Sequence, residues 1–117
     1  GLIIDENAQL WGIADNVLFQ FDPSRRKIVH RTTLFSDTDG SRYGNDHVLR
    51  IVDGHLYGVT SNRMFEFDRQ GRQVKVIYDG TTSGSGSTGD ARHLAVDRYG
   101  DLYFIGLSSH VMRYRRK

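Results

Sequence analysis

The sequence predicts an all-β fold in which short antiparallel strands follow one another as four-stranded meanders. Two observations support this prediction: strand-length apolar runs separated by turn residues, and an internal repeat of those runs. The clearest stretch is 48–80, where each run holds five or six residues rich in Val, Ile, Phe and Tyr. Gly, Asp or Asn bounds each run, and these residues tolerate the backbone angles of tight turns. The predicted strands of this stretch are 48–52, 56–60, 64–68 and 73–78.

The meander recurs with a fixed period. One position of the repeat is filled, at intervals of 46 residues, by Leu10-Trp11-Gly12, Leu56-Tyr57-Gly58 and Leu102-Tyr103-Phe104. The motif Phe19-Gln20-Phe21-Asp22 returns after the same interval as Phe65-Glu66-Phe67-Asp68. A period in the forties with four strands per unit is typical of a β-propeller blade. A helical repeat of that length would need long stretches of helical periodicity, which the sequence lacks.

These repeats predict a single partial β-propeller over residues 1–117. Blade 1 covers 1–35, blade 2 covers 47–80, and an incomplete blade 3 at 93–117 lacks its outer strand. Closed propellers use about four to eight blades. We therefore expect further blades to complete the ring, either from the remainder of a parent propeller or from a second copy of the chain.

The elements of the outer blades follow the same pattern. Blade 1 begins with 1–4, whose apolar residues on both faces suit an innermost strand covered by neighbouring blades. Strands at 10–14 and 17–22 follow, and Pro23 then favours a turn because its ring presets the backbone angle. The outer strand, 27–35, carries charged residues of the kind that protect a sheet edge. In blade 3 the inner strand is predicted at 94–97 and the third strand at 111–115.

Composition excludes several classes of function. The chain has 16 basic and 14 acidic residues, a net charge of +2, and this near-neutral balance argues neither for nor against nucleic acid. No nucleic-acid partner is predicted. It has no cysteine and therefore no disulfide or thiolate metal site. No apolar run approaches the roughly 18 residues of a membrane helix, so no membrane contact is predicted. Common hydrolase, zinc-protease and phosphate-loop motifs are also absent, and the sequence predicts no catalytic residue and no cofactor.

Candidate binding residues cluster where one blade leads to the next. The two connections, 36–46 and 79–92, are much longer than the hairpin turns, and long loops on a rigid scaffold often bind ligands. The candidates around these connections are Tyr43, Asp46, His47, Asp90, Arg92 and His93. His47 and His93 lie one period apart. Two imidazoles with nearby carboxylates could hold a divalent cation or a ligand, or each could form a hydrogen bond that fixes its own blade.

Three other repeated features have a structural and a functional interpretation. Asp5, Asp53 and Asp97 end the inner strands, where turn chemistry is the main expectation and a cation the alternative. The repeated aromatic residues, such as Trp11 and Tyr57, are expected in the core rather than on a stacking platform for sugars or bases. The basic tail (Arg113, Arg115, Arg116 and Lys117) is expected to be solvated, with an anionic ligand as the alternative.

Two strings resemble a known group of proteins. Asp97-Arg98-Tyr99-Gly100-Asp101-Leu102-Tyr103 and Leu18-Phe19-Gln20-Phe21-Asp22-Pro23 are similar to blades of bacterial β-propellers of the NHL, gluconolactonase/regucalcin-like and quinoprotein-like groups. The resemblance implies a propeller scaffold from a larger bacterial protein. It implies a soluble, secreted or cell-surface setting, and leaves the compartment open.

The sequence leaves two functions open. The leading hypothesis is a non-catalytic β-propeller scaffold or fragment that binds a protein or a carbohydrate through its loop rim. The alternative is a sector of a propeller enzyme, either a metal-dependent lactonase or hydrolase or a glycan-processing enzyme. In that case the remaining catalytic residues would lie in other blades.

Overall fold

A computed structural model describes residues 1–14, 16–35, 47–60, 62–80, 92–106 and 110–116. Within these ranges the chain forms eleven β-strands. They are β1 (Leu2–Ile4), β2 (Leu10–Ala14), β3 (Val17–Asp22), β4 (Lys27–Thr33), β5 (Val48–Val52), β6 (His55–Thr60), β7 (Arg63–Asp68), β8 (Gln73–Asp79), β9 (Arg92–Val96), β10 (Leu102–Ile105) and β11 (Val111–Tyr114).

The strands form three antiparallel sheets of consecutive strands. Sheet 1 has the order β1-β2-β3-β4, sheet 2 the order β5-β6-β7-β8, and sheet 3 the order β9-β10-β11. Within each sheet, every strand pairs with the strands that precede and follow it along the chain, as hairpins require. The predicted fold class is confirmed: the chain is all-β, and its sheets of four, four and three strands are consistent with propeller-like blades.

The turns between the second and third strands are alike in sheets 1 and 2. Asn16 and Asn62 have left-handed backbones, with φ of 66° and 61°, a conformation that asparagine tolerates better than most residues. Their carbonyl oxygens accept hydrogen bonds from the backbone N–H of Leu34 and Gly80. Each turn is thereby joined to the end of the fourth strand of its own sheet.

Sheet 2 is buried on both faces, because side chains of a strand point alternately to opposite sides. On β6, Leu56 packs against sheet 1, in a cluster with Trp11, Leu49, Phe65 and Phe67. Its neighbour Tyr57 packs against sheet 3, in a cluster with Val59, Met64, Leu102 and Phe104. Tyr57 and Phe67 are only 2% and 1% exposed. Their predicted place in the core is confirmed.

A glycine and an aromatic ring share space across two of the hairpins. Gly12 lies opposite Phe19 on β3, and Gly58 lies opposite Phe65 on β7. A Cβ at either glycine would lie 2.5 Å from the phenylalanine ring, so each ring occupies the space that a side chain would need. Sheet 3 differs, because Phe104 takes the glycine position and Met112 lies opposite it, so both facing residues are large.

Sheet 1 differs from the prediction at both of its edges. β4 ends at Thr33 rather than at residue 35, because Leu34 and Phe35 leave the strand and enter the core between sheets 1 and 2. The prediction that β1 is covered on both faces is wrong in this structure: Leu2 and Ile4 are 64% and 69% exposed. No described residue covers the face of sheet 1 that lies away from sheet 2.

Replacing Phe67 by alanine should lower the free energy of unfolding by about 3–5 kcal/mol, the usual cost of removing a buried aromatic side chain. Urea unfolding monitored by circular dichroism measures the change. Phe21 is the matched control, since it holds the same place in sheet 1 but is only half-buried. Phe21→Ala should cost clearly less, and equal losses for the two variants would contradict the described core.

Candidate functional site

The antiparallel order of the strands brings two kinds of turn to one end of the three sheets. The turns between first and second strands and between third and fourth strands lie together there. We call this end the turn rim; its residues are 5–9, 22–26, 53–54, 68–72 and 97–101. The opposite rim has the turns between second and third strands and the starts of β5 and β9.

Asp5 organises the turn rim of sheet 1. Its Oδ1 accepts hydrogen bonds from the backbone N–H of Asn7 (2.8 Å) and Gln9 (3.0 Å). Its Oδ2 accepts a hydrogen bond from Nε1 of Trp11 at 2.8 Å. The carboxylate is 4% exposed. A short acidic side chain that closes a turn in this way confirms the expected turn role of Asp5.

Asp97 holds the turn of sheet 3 in the same manner. Its Oδ1 accepts from the backbone N–H of Tyr99 (2.8 Å) and Asp101 (3.1 Å), and its Oδ2 accepts from the Tyr103 hydroxyl (3.0 Å). Burial raises the pKa of Asp97, but the hydrogen bonds from Asp101, Tyr103 and Tyr99 outweigh it and hold the pKa below its ordinary value.

Sheet 2 has a different turn at this place. Only Asp53 and Gly54 separate β5 from β6, and both have positive φ, 50° and 81°. Two successive residues of this kind form a tight hairpin turn, for which Asp-Gly is a preferred sequence. The Asp53 side chain is 72% exposed and is directed to sheet 3 instead of its own turn.

Arg69 joins the turns of sheets 1 and 2. Its Nη1 lies 3.3 Å from Oδ2 of Asp5, and its Nη2 lies 2.8 Å from Oε1 of Glu6. Nη2 also donates to the carbonyl oxygen of Gly54 at 2.6 Å, within its own sheet. A guanidinium suits this position because its planar fork donates in several directions at once.

The two carboxyl groups bound by Arg69 have pKa values below their ordinary ones. Burial raises the pKa of Asp5, but the hydrogen bonds from Trp11, Gln9 and Asn7, with the Arg69 charge, bring it below the ordinary 3.8. For Glu6 the hydrogen bond from Arg69 is the main cause of a lowered pKa. Both groups are therefore ionised at neutral pH.

A cleft of about 620 Å³ opens beside this network, between sheets 1 and 2. Trp11 and Phe67 form its floor, and the rest of its lining is polar. His55 Nδ1 lies 3.0 Å from Oε2 of Glu66, and Gln20 donates to Oε1 of Gln9 at 3.1 Å. The remaining polar side chains of the lining belong to Asp5, Glu6, Asn7, Asp68, Arg69 and Gln70.

A second clamp joins sheets 2 and 3. Arg116 donates from Nε to the carbonyl of Gly100 at 2.9 Å, and from Nη2 to Asp53. It also donates to the hydroxyl of Tyr57. Arg116 is 10% exposed, so the expectation of a solvated basic tail is wrong for this residue. Its charge is instead used between sheets, beside a cleft of about 860 Å³.

The structure only partly describes the candidate residues from the sequence. Tyr43, Asp46 and Asp90 lie outside the described residues. His47 precedes β5, and its Nδ1 lies 2.9 Å from Thr60 Oγ1 in the same sheet. This contact favours the interpretation that His47 forms a hydrogen bond within its own sheet. Arg92 begins β9 opposite Ile105, and His93 is exposed with a left-handed backbone (φ 60°). As a ligand site, these six residues stay a prediction for the rim opposite the clefts.

In the described part of the chain, no three His, Asp or Glu side chains are grouped so that they could hold a metal ion. Sequence reasoning missed the arginine clamps. Arg69 and Arg116 each follow an aromatic residue of the third strand by two positions, and Asp5 and Asp97 are two periods apart. A search for charged residues at repeat-equivalent positions could have found the two arginines and the two aspartates.

Comparison with known proteins gives a structural likeness. No protein-family model matches the chain. No curated protein matches it either. Its fold is similar to part of the extracellular domain of a putative one-component system from B. thetaiotaomicron, with a TM-score of 0.65 and 14% identity over 100% of this chain. The chain spans 15% of that structure, and at this identity the likeness concerns the fold alone. Among the described residues, no helix has the length and apolar character to cross a membrane.

Removing the Arg69 side chain should lower the free energy of unfolding by about 1.5–3 kcal/mol, the usual contribution of hydrogen bonds to charged groups. Arg69→Lys should recover only part of the loss, because lysine lacks the fork that reaches both sheets. Arg31→Ala, which removes an exposed arginine on β4, is the control. Urea unfolding measures all three, and a loss at Arg69 no larger than that at Arg31 would show that the clamp does not stabilise the fold.

Acid should weaken the contact between sheets 1 and 2. Because the folded-state pKa of Asp5 lies below its ordinary value of 3.8, its stabilisation is present above that value and is lost as pH falls through the folded-state pKa. Unfolding free energies at about pH 7 and about pH 3 measure the difference. Asp5→Asn should be less stable at neutral pH and less sensitive to acid; an unchanged acid sensitivity would show that other carboxylates cause it.

Proposed function

We propose that the chain is a section of a β-propeller that serves as a non-catalytic binding scaffold, and that the cleft between sheets 1 and 2 binds a neutral, hydroxyl-rich carbohydrate. The observation that carries the proposal is the lining of this cleft. Its volume of about 620 Å³ lies within the range of small-ligand sites, about 300–1,000 Å³. Its lining is rich in polar side chains, where most such sites are largely apolar, and a polar ligand is therefore favoured.

The side chains of the cleft match the hydrogen-bonding needs of sugar hydroxyl groups, each of which donates and accepts. The carboxamides of Asn7, Gln9, Gln20 and Gln70 both donate and accept, and carboxylates accept only. Four carboxylates against one guanidinium, with His55 neutral, give the lining a formal charge of −3. This charge disfavours phosphates and acidic glycans, so a neutral carbohydrate is the class of ligand that fits best.

Two observations favour binding over catalysis. A general acid must hold a proton near neutral pH, which requires a raised pKa in a carboxyl group. The pKa values of Asp5 and Glu6 are lowered instead, and both groups are hydrogen-bonded to Arg69. The carboxylates of Asp5 and Glu6 therefore suit a structural role in the cleft wall better than proton transfer.

The proposed setting is a larger bacterial protein at the cell surface or secreted from the cell, with the remainder of a propeller as partner. The similar structure from B. thetaiotaomicron is the extracellular domain of a putative one-component system, which supports such a setting. Its much greater length supports a parent protein with further sheets.

Isothermal titration with neutral oligosaccharides, such as linear glucans, xylans and mannans, tests the proposal. At least one of them should bind the wild-type chain. Gln70→Ala, which removes an exposed amide from the cleft wall, should weaken that binding about two- to tenfold, since a lost hydrogen bond costs about 0.5–1.5 kcal/mol.

Gln73→Ala is the matched control, since Gln73 is an exposed glutamine three positions further along and does not line the cleft. It should leave the affinity unchanged. No binding of any neutral oligosaccharide, or equal losses in the two glutamine variants, would overturn the proposed ligand and site. Binding of a protein in place of every sugar would overturn the ligand class.

A further inference from the structure

The two arginine clamps are one interaction used twice. Arg69 and Arg116 each donate to a carbonyl in the first turn of their own sheet, on Gly54 and Gly100. Each also donates to a carboxylate in the first turn of the preceding sheet, on Asp5 and on Asp53. In both cases, the arginine that follows the third strand of one sheet binds the first turn of the preceding sheet.

Sheet 3 has the acceptor side of the same interaction. Its Asp97 accepts the same pattern of hydrogen bonds as Asp5: two from backbone N–H groups and one from the aromatic residue six positions later. Asp5 has, in addition, the guanidinium of Arg69 at 3.3 Å. Arg113 of the same sheet lowers the pKa of Asp97 by its charge but donates to Asp101, at 2.9 Å. Among the described residues, no arginine donates a hydrogen bond to Asp97.

The face of sheet 3 beside Asp97 has three apolar residues and one arginine, Arg113, which lies opposite Tyr103. Tyr103 and Ile105 alternate along β10 with Leu102 and Phe104, which pack against sheet 2, so the former pair lies on the opposite face. Val111, paired with Ile105, is 69% exposed. The same places in sheet 2 are held by Tyr57, Val59 and Met64, which sheet 3 buries to 2% exposure or less.

We propose that this face of sheet 3 docks a further antiparallel sheet, and that an arginine following the third strand of that sheet binds Asp97. The buried face of sheet 2 shows what such a partner covers, and the Arg69–Asp5 contact shows the charge that it must bring. The inference rests on the repeated interface and does not depend on the carbohydrate ligand.

A second copy of this chain lacks the required residue. If its sheet 1 docked on sheet 3, it would bring Pro23 to the clamp position, and proline has no side-chain donor. Asp97 would then be covered with only the nearby charge of Arg113, which donates to Asp101, and without a guanidinium hydrogen bond of its own, which is less favourable for a carboxylate. The occupant is therefore a sheet that has arginine at this position, not sheet 1 of a second copy.

Pro23→Arg tests the inference by turning a second copy into a suitable partner. The turn after β3 accepts arginine, because its counterpart in sheet 2 has the same form: Asp22 and Asp68 accept from the N–H two residues on, and Arg26 and Arg72 have φ of 55° and 57°. Sheet 1 also offers the exposed Leu2 and Ile4, in the places where sheet 2 uses Leu49 and Ile51.

Sedimentation equilibrium should show that Pro23→Arg self-associates about tenfold or more tightly than wild type, as expected for a charge-assisted, two-pronged contact. Pro23→Lys should gain less, because it brings the charge without the fork. Adding Asp97→Asn to Pro23→Arg should return the association to the wild-type value. A folded Pro23→Arg chain that gains nothing, or a gain that survives Asp97→Asn, overturns the inference.

If Pro23→Arg does not fold, the wild-type chain supplies the test. Arginine amide at millimolar concentration should shift the backbone amide NMR signals of Tyr99 and Asp101 more than lysine amide does. Asp97→Asn should abolish the difference between the two cations, and equal shifts in the wild-type chain overturn the inference. None of these variants alters the cleft between sheets 1 and 2, so their results are separate from the tests of carbohydrate binding.

Discussion

Burial of both faces of sheet 2 is the constraint on which the rest of the structure depends. A strand with large apolar side chains on both sides cannot leave either side in water, because each buried aromatic or aliphatic residue is worth about 1.5–3 kcal/mol. Leu56 and Tyr57 are neighbours on β6 and are buried against different sheets. Sheets 1 and 3 are therefore needed to cover sheet 2, and the arginine clamps fix the turns of adjacent sheets at the resulting interfaces.

The clefts follow from the same stacking. Neighbouring sheets are in contact along their apolar strands, while long polar side chains such as Arg69 join their turns at the rim. Space remains between the turns, and most of the residues that line it are polar. This explains why a molecule with an aromatic core presents mainly amides and carboxylates in this cleft.

Much of the fold could be predicted from the sequence, because one pattern of four strand-length apolar runs occurs almost three times. Strands 10–14, 17–22 and 48–52 were predicted with the bounds that the structure gives, since turn residues stand at their ends. The end of β4 was missed, because Leu34 and Phe35 continue an apolar run whose departure from the sheet depends on packing against sheet 2. The exposure of Leu2 and Ile4 was missed because apolar character alone does not say whether a covering sheet is present.

The candidate site was harder to predict for a physical reason. Long connections attract attention in a sequence, whereas the network around Asp5 is built from short turns whose charges meet only across sheets. The even spacing also hides a difference in turn length: Trp11, Tyr57 and Tyr103 are evenly spaced, yet two residues join β5 to β6 where five join β1 to β2. Asp53 therefore does not hold its own turn as Asp5 and Asp97 do. The similar sequence positions of the three aspartates do not reveal this difference.

The facing pairs Gly12 with Phe19, Gly58 with Phe65, and Phe104 with Met112 show that the second and third strands are matched differently in the three sheets. In sheets 1 and 2 the ring occupies the space over the glycine, whereas in sheet 3 both facing residues are large, so a change of size at one position constrains the other. A hairpin moved between sheets as a unit would keep its two facing residues together. A single strand moved alone, such as β10 placed beside β3, would set Phe104 against Phe19. The second and third strands of each sheet therefore have to match each other as a pair.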